Sequence, residues 1–301
     1  MFEPIVTVLM PVYNGSRYLR EAMDSITRQT FYDFEFLIIN DGSADHSKDI
    51  ITSYKDGRIR LIENEKNIGI SASLNKGIAF ARGRYIARMD GDDISMPERL
   101  YKQVLFMESH PQIGVCGSWV KTIGEWYQGQ LWELSTEPEQ IKCQLLFTTS
   151  LSHPSVLIRR EVLKNTGLSY NGRYKYAQDY KLWMELAKTT LLANIPEALV
   201  QYRFNDNQVS TRYHREQMQE VDSIRLEQLY ALGIAPTLAE LEIHRRIASN
   251  AVFENEVFLQ MADTWLKKIE ERNQIVEYYP KAALSQLLHR FKARLHEKSG
   301  N

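Results

Sequence analysis

Four short apolar runs set the limits on what this chain can fold into. Residues 5–10, 34–39, 59–62 and 85–89 each hold enough adjacent Ile, Val, Leu, Phe and Met to read as a buried strand. Stretches with helical character separate them. Leu19, Ala22, Met23 and Ile26 recur at steps of three and four, residues 43–54 read as a helix capped by Ser43, and residues 73–82 as one stopped by Gly83. Strand and helix alternating in this way predict a largely parallel sheet covered on both faces. In such sheets ligands bind beyond the carboxyl ends of the strands. Three polar clusters fall at those ends: Pro11 to Asn14, Asp41, and Asp90 to Asp93.

The last cluster carries the most chemistry. Asp90-Gly91-Asp92-Asp93 puts three carboxylates within four residues at the end of an apolar run. Their mutual repulsion is costly unless something offsets it. A divalent cation does so, and hard cations such as Mg²⁺ take one or two carboxylates together with phosphate oxygens. Gly91 lets the backbone come close to a ligand. A solvated acidic turn would show the same letters; the two companion clusters on the same sheet edge favour a site.

Composition narrows the rest. The 301 residues suffice for one large domain or two small ones. The formal net charge of −1 offers no field for nucleic acid. Cys116 and Cys143 are the two cysteines, which gives neither a disulfide framework nor metal spacing and fits a reducing cytosol. The first residues lack the basic and apolar regions of a signal peptide, and no apolar run approaches a membrane span. A cytoplasmic location follows as the expectation.

The ordered motifs resemble family 2 of the glycosyltransferases, which have the GT-A fold. They are Pro11-Val12-Tyr13-Asn14, Asn40-Asp41-Gly42-Ser43, then Asn67, Gly69, Asn75 and Gly77, then Gly83-Arg84-Tyr85-Ile86, Asp90-Gly91-Asp92-Asp93 and Met96-Pro97-Glu98-Arg99. The resemblance covers about residues 4–210. The wording Ala87-Arg88-Met89-Asp90 followed by Asp92-Asp93 looks most like the bacterial branch that builds O-antigen, capsule and exopolysaccharide. The fold class it implies is an α/β, Rossmann-like mixed sheet flanked by helices. Residues 1–210 would form the transferase domain, 1–100 holding the nucleotide-sugar and 101–210 the acceptor, with 211–301 a helical C-terminal extension.

Roles carried over by this resemblance fall on specific residues. Pro11, Tyr13, Asn14, Asp41, Asn67, Arg88, Asp90, Asp92 and His153 would meet the nucleotide-sugar. Asp41 would accept the imide N–H of uracil or thymine, as an acceptor-only carboxylate can. Tyr13 would stack on the base, although a loop tyrosine serves packing as readily. Asp92, with Asp93, would hold Mg²⁺ or Mn²⁺ against the diphosphate, and Asp93 can alternatively support from behind. Many members carry an Arg near Leu74-Asn75-Lys76-Gly77 that this chain lacks; Lys76 or Arg88 is left to replace it, unless Arg88 only pairs with a nearby carboxylate. His153, in Ser152-His153-Pro154-Ser155, is either a sugar contact or structural.

A second site follows at Tyr176-Ala177-Gln178-Asp179-Tyr180, where the family has Glu-Asp-Tyr and this chain has Gln178. Leu182, Trp183, Leu186 and Ala187 form the apolar stripe that anchors it. In inverting members that Asp is the general base, so Asp179 takes that role here. An acid capping a helix N-terminus is the competing explanation. The aromatic stretch 125–132 suits an acceptor sugar or a packed hairpin, and residues 203–211 form a polar loop.

Beyond residue 213 the pattern is helical to the end. The last helix interleaves Leu284, Leu287, Leu288 and Phe291 with Lys281, Arg290, Lys292 and Lys298. It would either lie on an anionic membrane or pack on its own domain. The expected function is a metal-dependent inverting hexosyltransferase. It would move a hexose or N-acetylhexosamine from a nucleotide-diphospho-sugar, UDP-linked first, to a lipid-linked or growing surface glycan of the O-antigen, lipopolysaccharide or exopolysaccharide kind. A sugar nucleotidyltransferase would need a Gly-rich basic loop where Pro11-Val12-Tyr13-Asn14-Gly15 stands. A non-catalytic binding module would not need Asp92 and Asp179. A dinucleotide oxidoreductase lacks its Gly-x-Gly-x-x-Gly after the first strand.

Overall fold

A computed structural model describes residues 3–124, 128–205, 212–249 and 256–297. The first strands form where the apolar runs stand: β1 is Val6–Val12, β2 Phe34–Asn40, β3 Ile59–Glu63 and β4 Tyr85–Arg88. Between them lie α1 (Leu19–Thr27), α2 (Ser47–Ser53) and α3 (Ile70–Phe80). All four strands pair in parallel, in the order β3-β2-β1-β4. The next elements are β5 (Ile94–Ser95), α4 (Arg99–Ser109), β6 (Ile113–Gly124), β7 (Leu131–Trp132) and α5 (Pro138–Gln144). They are followed by β8 (Leu157–Arg159), α6 (Arg160–Thr166), α7 (Gln178–Leu186) and β9 (Leu191–Phe204). β8 runs antiparallel between β4 and β6, so the nine-stranded sheet among the described residues is mixed, as expected for the fold class.

Packing explains the order. One face of β1, through Val6, Val8 and Met10, meets the apolar stripe of α1, through Leu19, Ala22, Met23 and Ile26. These side chains are all fully buried, and each contributes about 1.5–3 kcal/mol by leaving water. On the other face α3 comes close to β1. A Cβ at Gly77 would lie 2.2 Å from Leu9 Cδ1, so the motif glycine is there for contact.

Helix ends depart from the sequence reading in two places. Ser43 does not cap α2. The N-cap is His46, with no side-chain cap bond; just before it Asp45 accepts from Ser47 N at 3.0 Å and Ser16 N at 2.9 Å, while Ser43 Oγ accepts from Asn14 N at 3.0 Å. The loops after β1 and β2 are thereby tied to each other. α3 starts at Ile70, earlier than the expected 73, because Gly69 at φ +89 turns the chain directly into it.

The chain forms two compact units: residues 1–136 with 151–214, and residues 137–150 with 215–301. The sequence places one division at 210; the segment 137–150 instead groups with the C-terminal helices. Those helices are α8 (His214–Ala231), α9 (Leu238–Ala248), α10 (Glu256–Val276) and α11 (Lys281–Glu297). Thr237 and Glu240 close a reciprocal capping box at the start of α9. Within this second unit Phe147, Trp265, Leu287 and Phe291 share one core.

Of the two expected uses of the last helix, packing on its own domain is the one observed. Ala283, Leu284, Leu287, Leu288, Phe291 and Leu295 of α11 are buried in that core, so its apolar face is already covered. Arg294 donates to Ile247 O and Lys292 pairs with Asp263, while Lys298 lies outside the described residues. No helix among the described residues is long and apolar enough to cross a membrane.

Candidate active site

The carboxyl ends of β1, β2 and β4 open into one cleft of about 850 Å³ in the first unit. Pro11, Tyr13, Asn14, Asp41, Asn67, Asp90 and Asp92 all line it. Residues separated by almost the length of the strand–helix repeat are thus brought to one edge by parallel register, as the sequence reading expects.

At one end Asp41 is buried and well supplied with donors. Its Oδ1 accepts from Asn64 Nδ2 at 2.8 Å and Ile68 N at 2.9 Å, and its Oδ2 from Gly69 N at 2.9 Å. The carboxylate therefore fixes the turn leading into α3. Gly42 makes this possible: it sits at φ +69, and a Cβ there would lie 2.6 Å from the Lys66 carbonyl carbon. Tyr13 stands beside this end with 53% of its surface exposed.

At the other end are the acids. Oxygens of Asp90, Asp92 and Asp93 lie within 4.8 Å of one another. Asp90 is paired with the buried Arg88. Burial opposes the charge on Arg88, but Asp90 and then Tyr170 and Asp93 hold it charged and raise its pKa. Burial and the Asp90 charge push Asp92 up to about 6, and burial with the Asp92 and Asp90 charges pushes Asp93 well above the usual carboxylate range. Asp93 Oδ1 accepts from Arg203 N at 2.7 Å, whereas its buried Oδ2 has no hydrogen-bond partner among the described residues. A buried, unpartnered carboxylate oxygen among repelling acids is the donor set that a hard divalent cation satisfies.

Four of the expected residues do not line the cleft. Arg88 and Asp93 are buried behind its acidic end. His153 is the clearest correction. It is buried in a short 3-10 turn, bonded through Nε2 to the Tyr170 hydroxyl at 2.8 Å and set edge-on to Trp183. Burial and the nearby Arg88 charge push its pKa well below the usual value, so the ring is neutral. It acts as a core residue under the 170–177 loop. Asp179 sits in the first turn of α7, partly buried. Burial raises its pKa, with the Asp90 charge adding and Arg88 opposing.

The replacement for the missing arginine is also clarified. Lys76 Nζ donates to Asn64 Oδ1 at 2.5 Å and Glu63 O at 3.3 Å, away from the cleft. The described cations that line the cleft are Arg17 and Lys175. Sequence reasoning did not pick them out, nor Tyr213; Tyr176, which opens the second motif, had no role of its own, and its ring stacks on that of Tyr213 at 4.8 Å and 15° along the cleft wall. Asn75 clasps the loop that carries Lys175 and Tyr176, through Tyr170 O at 2.8 Å and Tyr170 N at 2.9 Å. Of the aromatic stretch, residues 125–127 lie outside the described residues; Trp132 packs near Tyr202 and Phe204 at ring separations of 5.4 and 5.6 Å. Residues 206–211 of the polar loop also lie outside them.

The family model for glycosyl transferase family 2 matches residues 7–167. A glycosyltransferase of Haemophilus influenzae, uncharacterized, is 34% identical over 276 residues, covering 85% of each chain. The chain belongs to glycosyl transferase family 2. Another relative is the amylovoran biosynthesis glycosyltransferase AmsE of Erwinia amylovora, 29% identical over 211 residues, covering 68% of this chain and 79% of that one. Among solved structures, S. aureus TarS 1–349 in complex with UDP-GlcNAc aligns over 97% of this chain and 88% of that chain, with a TM-score of 0.63 at 18% identity. That likeness shows the GT-A fold for this glycosyltransferase.

Proposed function

We propose that this glycosyltransferase moves a hexose or N-acetylhexosamine from a UDP-sugar to a hydroxyl of a lipid-linked or growing surface glycan, with inversion at the anomeric carbon. The observation that carries the reading is one cleft lined by Asp41 at one end and by Asp90 and Asp92 at the other, with Asp93 buried just behind those two acids. A nucleoside diphosphate sugar has the same polarity, a base with an imide N–H at one end and a charged diphosphate at the other. The relative from amylovoran biosynthesis and the TarS complex with UDP-GlcNAc support the glycan and the donor respectively.

Each residue then has a task. Asp41 Oδ2 takes one of the three bonds to this carboxylate, so it is the oxygen with capacity left for a base imide N–H. Tyr13 offers its exposed ring to the base. Asn14 and Asn67 line the same end. Arg17 and Lys175 face the phosphates, where their charge counters the dianion. Asp92 and Asp93 would hold Mg²⁺ or Mn²⁺, which when bound neutralises the leaving diphosphate. Asp90, fixed by Arg88, presents its carboxylate to the donor ribose or sugar. Asp179 takes the proton of the acceptor hydroxyl as that oxygen attacks the anomeric carbon, and the sugar–phosphate bond breaks on the opposite side. The acceptor is reached at the cytosolic face of the membrane, and among the described residues no helix is long and apolar enough to insert there.

The stereochemical test needs no known acceptor. With Mn²⁺ and an α-linked UDP-sugar, slow turnover with water is expected to release the β-anomer first, read by proton NMR before mutarotation. Release of the α-anomer first would exclude the single displacement. Gly42→Ala tests the base end separately. Its Cβ meets backbone of the turn that Asp41 holds, and strain of about 1–3 kcal/mol falls on that turn. UDP affinity by calorimetry is expected to drop about tenfold or more; unchanged affinity would remove this turn from the base site.

A further inference from the structure

We infer that Arg203, at the end of β9, is a positioning residue that sets the acidic turn for cation binding. This rests on the proposed cation role of Asp92 and Asp93. β5 and β9 pair antiparallel with Ile94 opposite Gln201 and Ser95 opposite Val200. Continuing that register two residues beyond Ile94 places Asp92 across from Arg203. The strand end uses this placement fully. Arg203 N donates to Asp93 Oδ1 at 2.7 Å, Arg203 Nε to Asp92 O at 2.7 Å, and Asn205 Nδ2 to Asp92 Oδ2 at 2.9 Å. Backbone and side chain of one segment thus hold two successive acids whose charges repel.

The guanidinium is itself held from the far side. Arg203 Nη2 donates to Glu21 Oε2 at 2.7 Å, and the group lies over the Tyr18 ring at 4.4 Å. Arg203 therefore spans α1, the acidic turn and the end of β9. A planar fork can reach Asp92 O and Glu21 together; no other side chain has donors in that fixed arrangement. With Asp93 Oδ1 and Asp92 Oδ2 engaged, the buried Asp93 Oδ2 is left without a donor among the described residues. The grip supports the carboxylates from behind, and Arg203 does not touch the reacting atoms.

The experiment is Mn²⁺ binding without nucleotide, followed by loss of the free-ion EPR signal. It compares the full chain with Arg203→Met and with Glu21→Gln, an exposed change that leaves the Asp92 bond but frees the guanidinium. Arg203→Met is expected to weaken Mn²⁺ binding about 10–100-fold, the range for partners that orient metal ligands. Glu21→Gln is expected to shift it in the same direction by less. UDP affinity in EDTA should stay unchanged in both, which a general loss of structure would not allow. Equal Mn²⁺ affinity in Glu21→Gln and wild type, or a matching loss of UDP affinity in EDTA, overturns the positioning role and leaves the nucleotide-sugar reading standing. A wild type that binds UDP but no Mn²⁺ removes the cation role and this inference together.

Discussion

Asp179→Asn is expected to reduce kcat by on the order of 10²–10⁴-fold while leaving UDP affinity unchanged. The amide keeps the size and the helix-start position of the carboxyl but accepts no proton from the acceptor hydroxyl. A second readout follows from the electrostatics. Burial raises the Asp179 pKa above its ordinary value, so its ionised form is the costly one in the folded protein. The contribution of the protonated form to stability is complete below the unfolded value of about 3.9 and is lost as pH rises through the folded value. At pH 8 the wild type therefore carries a penalty that Asn does not, and the variant should melt higher; the gap should close as pH falls below the ordinary carboxylate range. The acid limb of wild-type kcat should be shifted upward from the ordinary carboxylate position for the same reason. Full activity in Asp179→Asn would remove the residue from the base role, and an unchanged melting temperature at pH 8 would remove the burial argument.

Asp92→Asn is expected to be nearly as damaging for a different reason. Loss of one charged ligand from the acidic turn should cost on the order of 10²–10³-fold in kcat, the scale of removing a group that stabilises developing charge. UDP binding in EDTA should be retained, because Asp41 and Tyr13 stand at the other end of the cleft. The comparison with chelation is diagnostic. EDTA should bring the wild type down to the level of the variant and change the variant no further. A variant that still responds to EDTA would place the cation on other ligands.

The parts of this fold legible in the letters are those fixed by local pattern. β1 and β2 read clearly because they are buried on both faces and so appear as unbroken apolar runs. The cleft residues after them follow from parallel register alone. Harder to read was anything set by pairing across the sheet. β8 inserts antiparallel between β4 and β6, and nothing in three residues announces their partners. Arg203 and Asn205 grip the acidic turn through the register of a two-residue strand, which is too short to show a pattern. Lys175, Tyr176 and Tyr213 join the cleft by way of loops.

Charge and amphipathicity misled where the solvent-facing side could not be known. The basic, amphipathic α11 has the letters of a membrane-lying helix, yet its apolar face is spent on α10 and its neighbours. His153 has the look of a site residue because Ser152-His153-Pro154-Ser155 resembles a family element, but its neutral ring is bonded inside the core. In both cases the side chain's company, and not its type, decided the role.

The most direct measurement is titration calorimetry of the protein with UDP, dTDP, GDP and CMP, each with Mn²⁺ and with EDTA. UDP is expected to bind most tightly, dTDP next, with affinity reduced by EDTA because the diphosphate loses its bridging cation while the base end still holds. Equal binding with and without EDTA would separate the acidic turn from cation chemistry. No binding of any of these nucleotides to the folded protein would contradict the account as a whole.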